Sequence, residues 1–185
     1  MRRALAITEA SLGKDDPSVA IRLNNLAQLL QATNRLGEAE PLMRRVIDIF
    51  ETSLGKDHPN VATDLNNLGA MIEAMGHIAE GEAMYRRALA IDEASYGKDH
   101  PRVAIRLNNL AGTLMNTGRP GEAKPLMRRM LAILLAFQRD TGHTHPHRDA
   151  AIRNYTTLLA AMGRSQTDIA AAIATLYRDA GLDQN

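Results

Sequence analysis

The stretch GKDHPRVAIRLNNLA fills residues 97–111, and nearly the same wording, GKDDPSVAIRLNNLA, fills 13–27. Between them, GKDHPNVATDLNNLG fills 55–69. Gly13, Gly55 and Gly97 stand 42 residues apart, and segments 13–54 and 97–138 agree without gaps at 25 of 42 positions. A fixed period of this length marks a stacked repeat architecture. A fourth, diverged copy opens as GHTHPHRDAAIRNY at Gly142, 45 residues after Gly97 instead of 42. Three extra residues are close to one helical turn. The preceding segment KPLMRRMLAILLAFQRD is therefore expected to be a helix one turn longer than its counterparts.

Each copy reads as two helices. The first opens at Asp-Asp-Pro or Asp-His-Pro. Asp57 or His58 supplies the cap, and Pro59 takes an early position where no N–H donor is needed. Val19, Leu23, Leu26, Ala27 and Leu30 then follow a 3.6-residue period. After the short turns TNRLG, MGHIA, TGRPG and MGRSQ, a second helix carries Ala39, Leu42, Met43, Val46, Ile47 and Phe50 on one stripe. It stops at Gly55, and its counterpart stops at Gly97, each with the positive φ that glycine tolerates. Pro41 and Pro125 sit early in second helices, which either start near Glu38 or kink there. The expected pairs are 17–33/36–54, 59–75/78–96, 101–117/120–140 and 146–162/165–180.

One such pair cannot bury its own apolar stripe, whereas stacked pairs can. The whole chain, 1–185, therefore reads as one array. It has a leading half-repeat helix at 1–12, regular repeats at 13–54, 55–96 and 97–141, and a divergent repeat with a C-terminal capping helix at 142–185. Ser165 and Asp168 have capping-box spacing. The fourth copy is expected to be the least regular. Thr156 replaces the small residue found at Ala27, Gly69 and Ala111, and Asp149 replaces an alanine. The leading helix RRALAITEASL matches RRALAIDEASY at 86–96, so Leu5, Ile7 and Leu12 are expected to lack a partner on one side. That end reads as cut from a longer array or as meeting another chain.

Hydrophobic residues make up 45% of the chain but aromatics only 3%, so the core must be Leu, Ile, Ala and Met, a helical composition. Lys and Arg number 22 against 21 Asp and Glu, which gives no pull toward nucleic acid or acidic membrane. No apolar run approaches 18 residues, so no membrane span is expected. The start MRRALAITEASLG has no leader pattern, and the expected location is cytoplasmic. No phosphate loop, nucleophile elbow or special acid pair occurs, so no enzyme activity, catalytic residue or cofactor is expected. Without a cysteine beside them, His143, His145 and His147 are not read as a metal site. The pairs Arg44-Arg45, Arg86-Arg87 and Arg128-Arg129 read as a solvated outer face, with Glu40–Arg44 and Glu82–Arg86 bridges four residues apart.

Leu26, Ala27, Leu30, Ala39, Met43, Val46 and, in the second copy, Gly76 fall at the spacing of the tetratricopeptide signature. Tyr85 holds the aromatic slot that Met43 and Met127 fill elsewhere, and Leu23 stands where the general signature has tryptophan. The 42-residue length and the phrases GKDHP, LNNLA, EAEPLMRRVI and YRRALAI resemble the kinesin light chain type of this repeat. The resemblance implies an all-α, right-handed solenoid of antiparallel helix pairs. Its first helices would line a concave groove that takes a protein or peptide ligand. It implies a noncatalytic interaction scaffold. The alternatives are a structural array that self-assembles end to end and a regulatory fragment of a larger multidomain protein.

By this resemblance the groove is the stripe beside the core-facing one, at positions 21, 24, 25, 28, 31 and 32 of the first copy. The candidate peptide-binding residues are Asn24, Asn25 and Gln28, then Asn66, Asn67 and Glu73. The third copy adds Asn108, Asn109 and Asn116, and the fourth Arg153 and Asn154. Arg22 and Arg106 are expected to reach the rim. Asparagine in mid-helix costs roughly 0.6 kcal/mol against alanine, but its amide offers a peptide backbone both donor and acceptor. With first helices roughly 8–10 Å apart, the rungs are expected to stand too far apart to bond each other, and to remain partly exposed to water. The competing reading is that one asparagine of each pair ties neighbouring helices together.

Overall fold

The computed structural model describes residues 2–182, so residue 1 and residues 183–185 of the expected array lie outside it. Within the described residues the regular structure is nine helices and no strand. These are α1 (Arg2–Leu12), α2 (Pro17–Ala32), α3 (Leu36–Leu54), α4 (Pro59–Ala74), α5 (Ile78–Tyr96), α6 (Pro101–Asn116), α7 (Pro120–Thr141), α8 (Arg148–Ala161) and α9 (Gln166–Asp179). None of them is long and apolar enough to cross a membrane. Contacts divide the chain into two compact units, Met1–Ser95 and Tyr96–Asn185.

The first-helix starts follow from local chemistry. Asp16 accepts from the Ser18 N–H at 2.7 Å, His58 Nδ1 from the Asn60 N–H at 3.1 Å, and His100 Nδ1 from the Arg102 N–H at 3.1 Å. Histidine, not Asp57, is thus the cap of α4, with Pro59 immediately inside. Second helices stop where expected, with Gly55 at φ 95° and Gly97 at φ 86°. Pro41 and Pro125 lie inside helices that already begin at Leu36 and Pro120. Helix α7 has 22 residues against 19 in α3 and α5, the expected extra turn.

In unit 1, Leu23, Leu26, Ala27 and Leu30 of α2 are buried with Ala39, Met43, Val46, Ile47 and Phe50 of α3. Val61, Leu65, Leu68, Met71 and Ile72 of α4 continue this core, and Tyr85, Ala88 and Ile91 are the buried apolar side chains of α5. Helices α4 and α5 approach closely at their glycines. A Cβ on Gly69 would stand 3.1 Å from Tyr85 Cε1 and 3.2 Å from the Gly81 carbonyl oxygen. A Cβ on Gly81 would stand 2.9 Å from the Gly69 carbonyl oxygen and 2.5 Å from Glu73 Cγ. Where the other regular copies combine alanine with methionine, this one combines glycine with the larger tyrosine ring. Helix α1 packs on α2, with Leu5 half-buried against the core. Ile7 is 59% exposed, however, whereas Ile49 and Ile91, at the same repeat position, are 2% and 4% exposed.

In unit 2, Leu107, Leu110, Ala111 and Leu114 of α6 pack with Ala123, Met127, Met130, Leu131 and Leu134 of α7. Helices α8 and α9 add Ala151, Tyr155, Leu158, Ile169 and Leu176. The Ser165–Asp168 capping box forms as expected. Helix α8 departs from expectation. It starts at Arg148, two residues late, and Pro146 lies in the preceding turn. The histidine turn survives, since His145 Nδ1 accepts from the His147 N–H at 3.2 Å. The two side chains that should follow it into the core are charged: Arg148 stands where Val19, Val61 and Val103 are buried, and a carboxylate comes next. Asp149 stays exposed, bridged to Arg148 at 2.8 Å, where its counterparts Ala20, Ala62 and Ala104 are buried. Ala151 becomes the first buried residue of α8.

The arginine pairs do more than line a wet face. Arg44 and Arg86 make the expected bridges to Glu40 and Glu82, at 2.8 and 2.7 Å. Their neighbours reach back 31 residues to a linker carbonyl. Arg45 donates to the Lys14 oxygen at 2.7 Å, Arg87 to that of Lys56 at 3.2 Å, and Arg129 to that of Lys98. Arg45 also meets Glu9, and Arg87 meets Glu51, both at 2.6 Å.

The two kinds of glycine should respond oppositely to alanine. Gly81→Ala should destabilise the protein by about 1–3 kcal/mol through overpacking. Gly112→Ala, whose Cβ would meet nothing within 4 Å, should stabilise by up to about 1 kcal/mol through helix propensity. Urea denaturation of the two variants checks both signs.

Candidate binding site

The amide-bearing stripe lies beside the core stripe on each first helix, because residues three and four apart share a helix face. On α2 of unit 1, Asn24 is half-buried, while Ile21, Asn25, Gln28, Gln31 and Ala32 are exposed. Gln28 donates to Asn24 Oδ1 at 3.3 Å. On α4, Asn67 and Glu73 are half-buried and Ala70 is exposed. Asn24, Gln28, Gln31, Asn67 and Ala70 surround a cavity of about 270 Å³ whose floor is Met43 and Met71. Asn25, Asn66 and Glu73 do not line it.

Two of these residues are committed to the protein itself. Asn66 is only 9% exposed, against the expectation of partial exposure. The stem of Glu73 rests on Gly81, and its carboxylate accepts from the Tyr85 hydroxyl at 3.3 Å. Burial, followed by the Glu73 charge and hydrogen bond, pushes the Tyr85 phenol above its ordinary range.

In unit 2, Asn108 and Asn109 of α6 are half-buried, and Asn116 is exposed, as are Arg153 and Asn154 of α8. Asn154 donates through Nδ2 to Asn108 Oδ1 at 2.9 Å, and Asn108 Nδ2 donates to Asn109 Oδ1 at 3.4 Å. The expectation that neighbouring rungs are too far apart to bond is thus corrected here. The roughly 8–10 Å spacing is between helix axes, and backbone radius together with two projecting side chains closes it. Asn108 and Asn154 line both of two cavities. One of about 210 Å³ is completed by Ala104, Ile105, Asn109, Met130, Leu134, His147, Ala150 and Ala151. The other, of about 230 Å³, is completed by Gly112, Met115, Asn116, Met127 and Thr157. Arg153 lines neither.

The rim arginines are also corrected. Arg106 is buried, and Arg22, though exposed, donates through Nε to Thr8 Oγ1 at 2.7 Å. The buried Asp64 and Asp92 of unit 1 have no signal in the sequence, since hydropathy periodicity does not flag acids on a core face. His147 stands out in the sequence only as one of a trio, yet it lines the first cavity of unit 2. Its ring stands 5.4 Å from that of His145, which meets the Phe137 ring edge-on at 5.1 Å. Among the described residues no group of three His, Cys, Asp or Glu could hold a metal ion.

Tetratricopeptide repeat profiles match residues 19–60 and 63–136. Among solved structures, a Podosopora anserina kinesin light chain with nearly identical TPR-like repeats is 23% identical, with a TM-score of 0.75 over 97% of this chain and 83% of that one. A singly substituted form of that protein gives 22% and 0.75, over 96% and 82%. BtubC (BKLC) from P. vanneervenii gives 23% and 0.79, over 96% of this chain and 69% of that one. At such identities the likeness concerns the fold. No curated protein matches in sequence.

The His145 turn carries a pH dependence. Its Nδ1 accepts a hydrogen bond only when unprotonated. Burial first, and the neighbouring His147 second, hold its pKa below the ordinary 6.5. Between the native and the ordinary value the unfolded chain binds more protons, so the contribution is complete above the ordinary value and is lost as pH falls through the native one. The protection factors of the α8 amides, which are corrected for the slowing of intrinsic exchange in acid, should fall as pH drops from 7.5 through the native value. His145→Asn, which keeps an acceptor at all pH, should remove most of that change, worth about 1 kcal/mol as one hydrogen bond of the turn that leads into α8.

Proposed function

The chain belongs to the tetratricopeptide repeat family, and from that premise we propose that it is a noncatalytic protein-interaction scaffold whose first helices hold an extended peptide or partner segment. The observation that carries this reading is the position of the amides. Asn24, Asn25, Gln28 and Asn67 in unit 1, and Asn108, Asn109, Asn116 and Asn154 in unit 2, lie off the core-facing stripe and keep exposed surface. Each costs helix propensity, and each presents the donor and acceptor that an extended backbone requires. The cavities beside them have mostly uncharged walls, which suits a segment held by its backbone and by neutral side chains.

A second reading is self-association. Ile7 and Leu12 of α1 are 59% and 55% exposed, an apolar surface that a second copy would cover. Light scattering across a concentration range tests it, and a mass that stays at one chain rejects it.

The main reading is tested with a displayed pool of random 12-residue peptides selected on the full chain. Asn67→Ala should leave stability within about 1 kcal/mol and weaken those selected peptides that seat in unit 1 about tenfold, the loss of one hydrogen bond to a ligand. Asn66→Ala, at a buried amide, should instead lower stability by about 1–3 kcal/mol. A pool that never enriches, or binds Asn67→Ala as tightly as the parent, rejects the reading.

A further inference from the structure

We propose that unit 2 recognises two residues of an extended peptide at positions i and i+2, an aliphatic or aromatic side chain at i and a compact neutral one at i+2. This rests on the peptide-binding reading and specifies its ligand. The Asn154–Asn108 bond, at 2.9 Å, joins two side chains that both line each of the two cavities. The amide bridge is therefore a partition with a cavity on either side. At roughly 30 Å³ for each water-sized group, cavities of about 210 and 230 Å³ each accept one side chain.

An extended chain rises about 3.3 Å per residue and places residues i and i+2 on the same face. Two side chains on one face then straddle the partition, while the backbone between them crosses the amides. An amide has two donors and two lone pairs. The bridge uses one donor of Asn154 and one lone pair of Asn108, and Asn108 gives one donor to Asn109; the other lone pairs and donors of the two amides are the capacity a crossing peptide group would use.

The linings set the chemistry. Ala104, Ile105, Met130, Leu134, Ala150 and Ala151 make the first cavity apolar. Gly112, Met115, Met127 and Thr157, with the Asn116 amide, make the second mixed and neutral. Neither contains a carboxylate, lysine or arginine, and His147 is the one titratable side chain in either lining. A charged ligand side chain would lose its water without gaining a counter-ion.

Selection from the random 12-residue pool on the full chain tests this. Enriched sequences should share an apolar residue followed two positions later by a compact neutral one, with Asp, Glu, Lys and Arg depleted at both. Gly112→Leu adds a side chain where a Cβ meets nothing within 4 Å, so the helix forms and the second cavity fills. Peptides selected on the parent that keep their affinity in Asn67→Ala should bind this variant at least tenfold more weakly, and reselection on it should move position i+2 to glycine or alanine. Ala150→Leu should weaken binding through position i, with helical circular dichroism confirming that both variants fold. Charged residues at either position, or affinity unchanged in both folded variants, overturns the proposal. If other peptides of the pool lose affinity in Asn67→Ala, the peptide-binding reading stands without it, and a pool that never enriches overturns both.

Discussion

The close crossing of the two helices in each regular copy is the constraint on which the other features depend. A tight crossing leaves room only for very small side chains, and the chain supplies them at Ala27 and Ala39, Gly69 and Gly81, and Ala111 and Ala123, all buried. Helices held this closely commit one stripe of each first helix to the core. The next stripe is then free of packing duty. In the copy carrying Tyr85 glycine stands on both sides of the crossing, and a Cβ on either would meet the facing helix at about 3 Å or less. The larger ring occupies the space that a Cβ on Gly69 would need.

Freedom from packing does not make every amide equivalent. Asn66 is drawn into the interior of unit 1 while its neighbour Asn67 faces a cavity. In unit 2 the Asn154–Asn108 contact shows that one amide can tie helices together and still line two cavities. The two explanations of the asparagine pairs, structural tie and ligand contact, are thus compatible within one side chain. An amide has four hydrogen-bonding positions, and a tie consumes only one or two.

Much of this was legible in the sequence because the repeat states the same rule three times. Capping residues, Pro at the first helical position, glycine stops and the 3.6-residue stripe are local, and local chemistry placed α2 to α7 within a residue or two. What escaped was set by distance in the chain. The reach of Arg45 to Lys14, and of Arg87 to Lys56, spans 31 residues and has no local signature. The late start of α8 accompanies Arg148 and Asp149, charged where the other copies bury valine and alanine; both are plain in the sequence, but their consequence depended on which neighbour could take the buried place. For the candidate site, the stripe was legible from helical geometry. Its cavities were not, because each is closed by side chains from a second helix, Met43 in unit 1 and Met127, Met130 and Leu134 in unit 2.

The arginine contacts to linker carbonyls also bear on how such a chain grows. Lys14 and Arg45 belong to one 42-residue copy, Lys56 and Arg87 to the next, and Lys98 and Arg129 to the third. Each copy therefore carries both halves of the fastening that holds its own linker. A gene duplication that adds a whole copy adds the fastening complete, needing no matching change in the neighbouring sequence. Point changes elsewhere in the copy can then accumulate on the exposed stripe without loosening the join, a division of labour that lets the array lengthen first and diversify its surface afterwards.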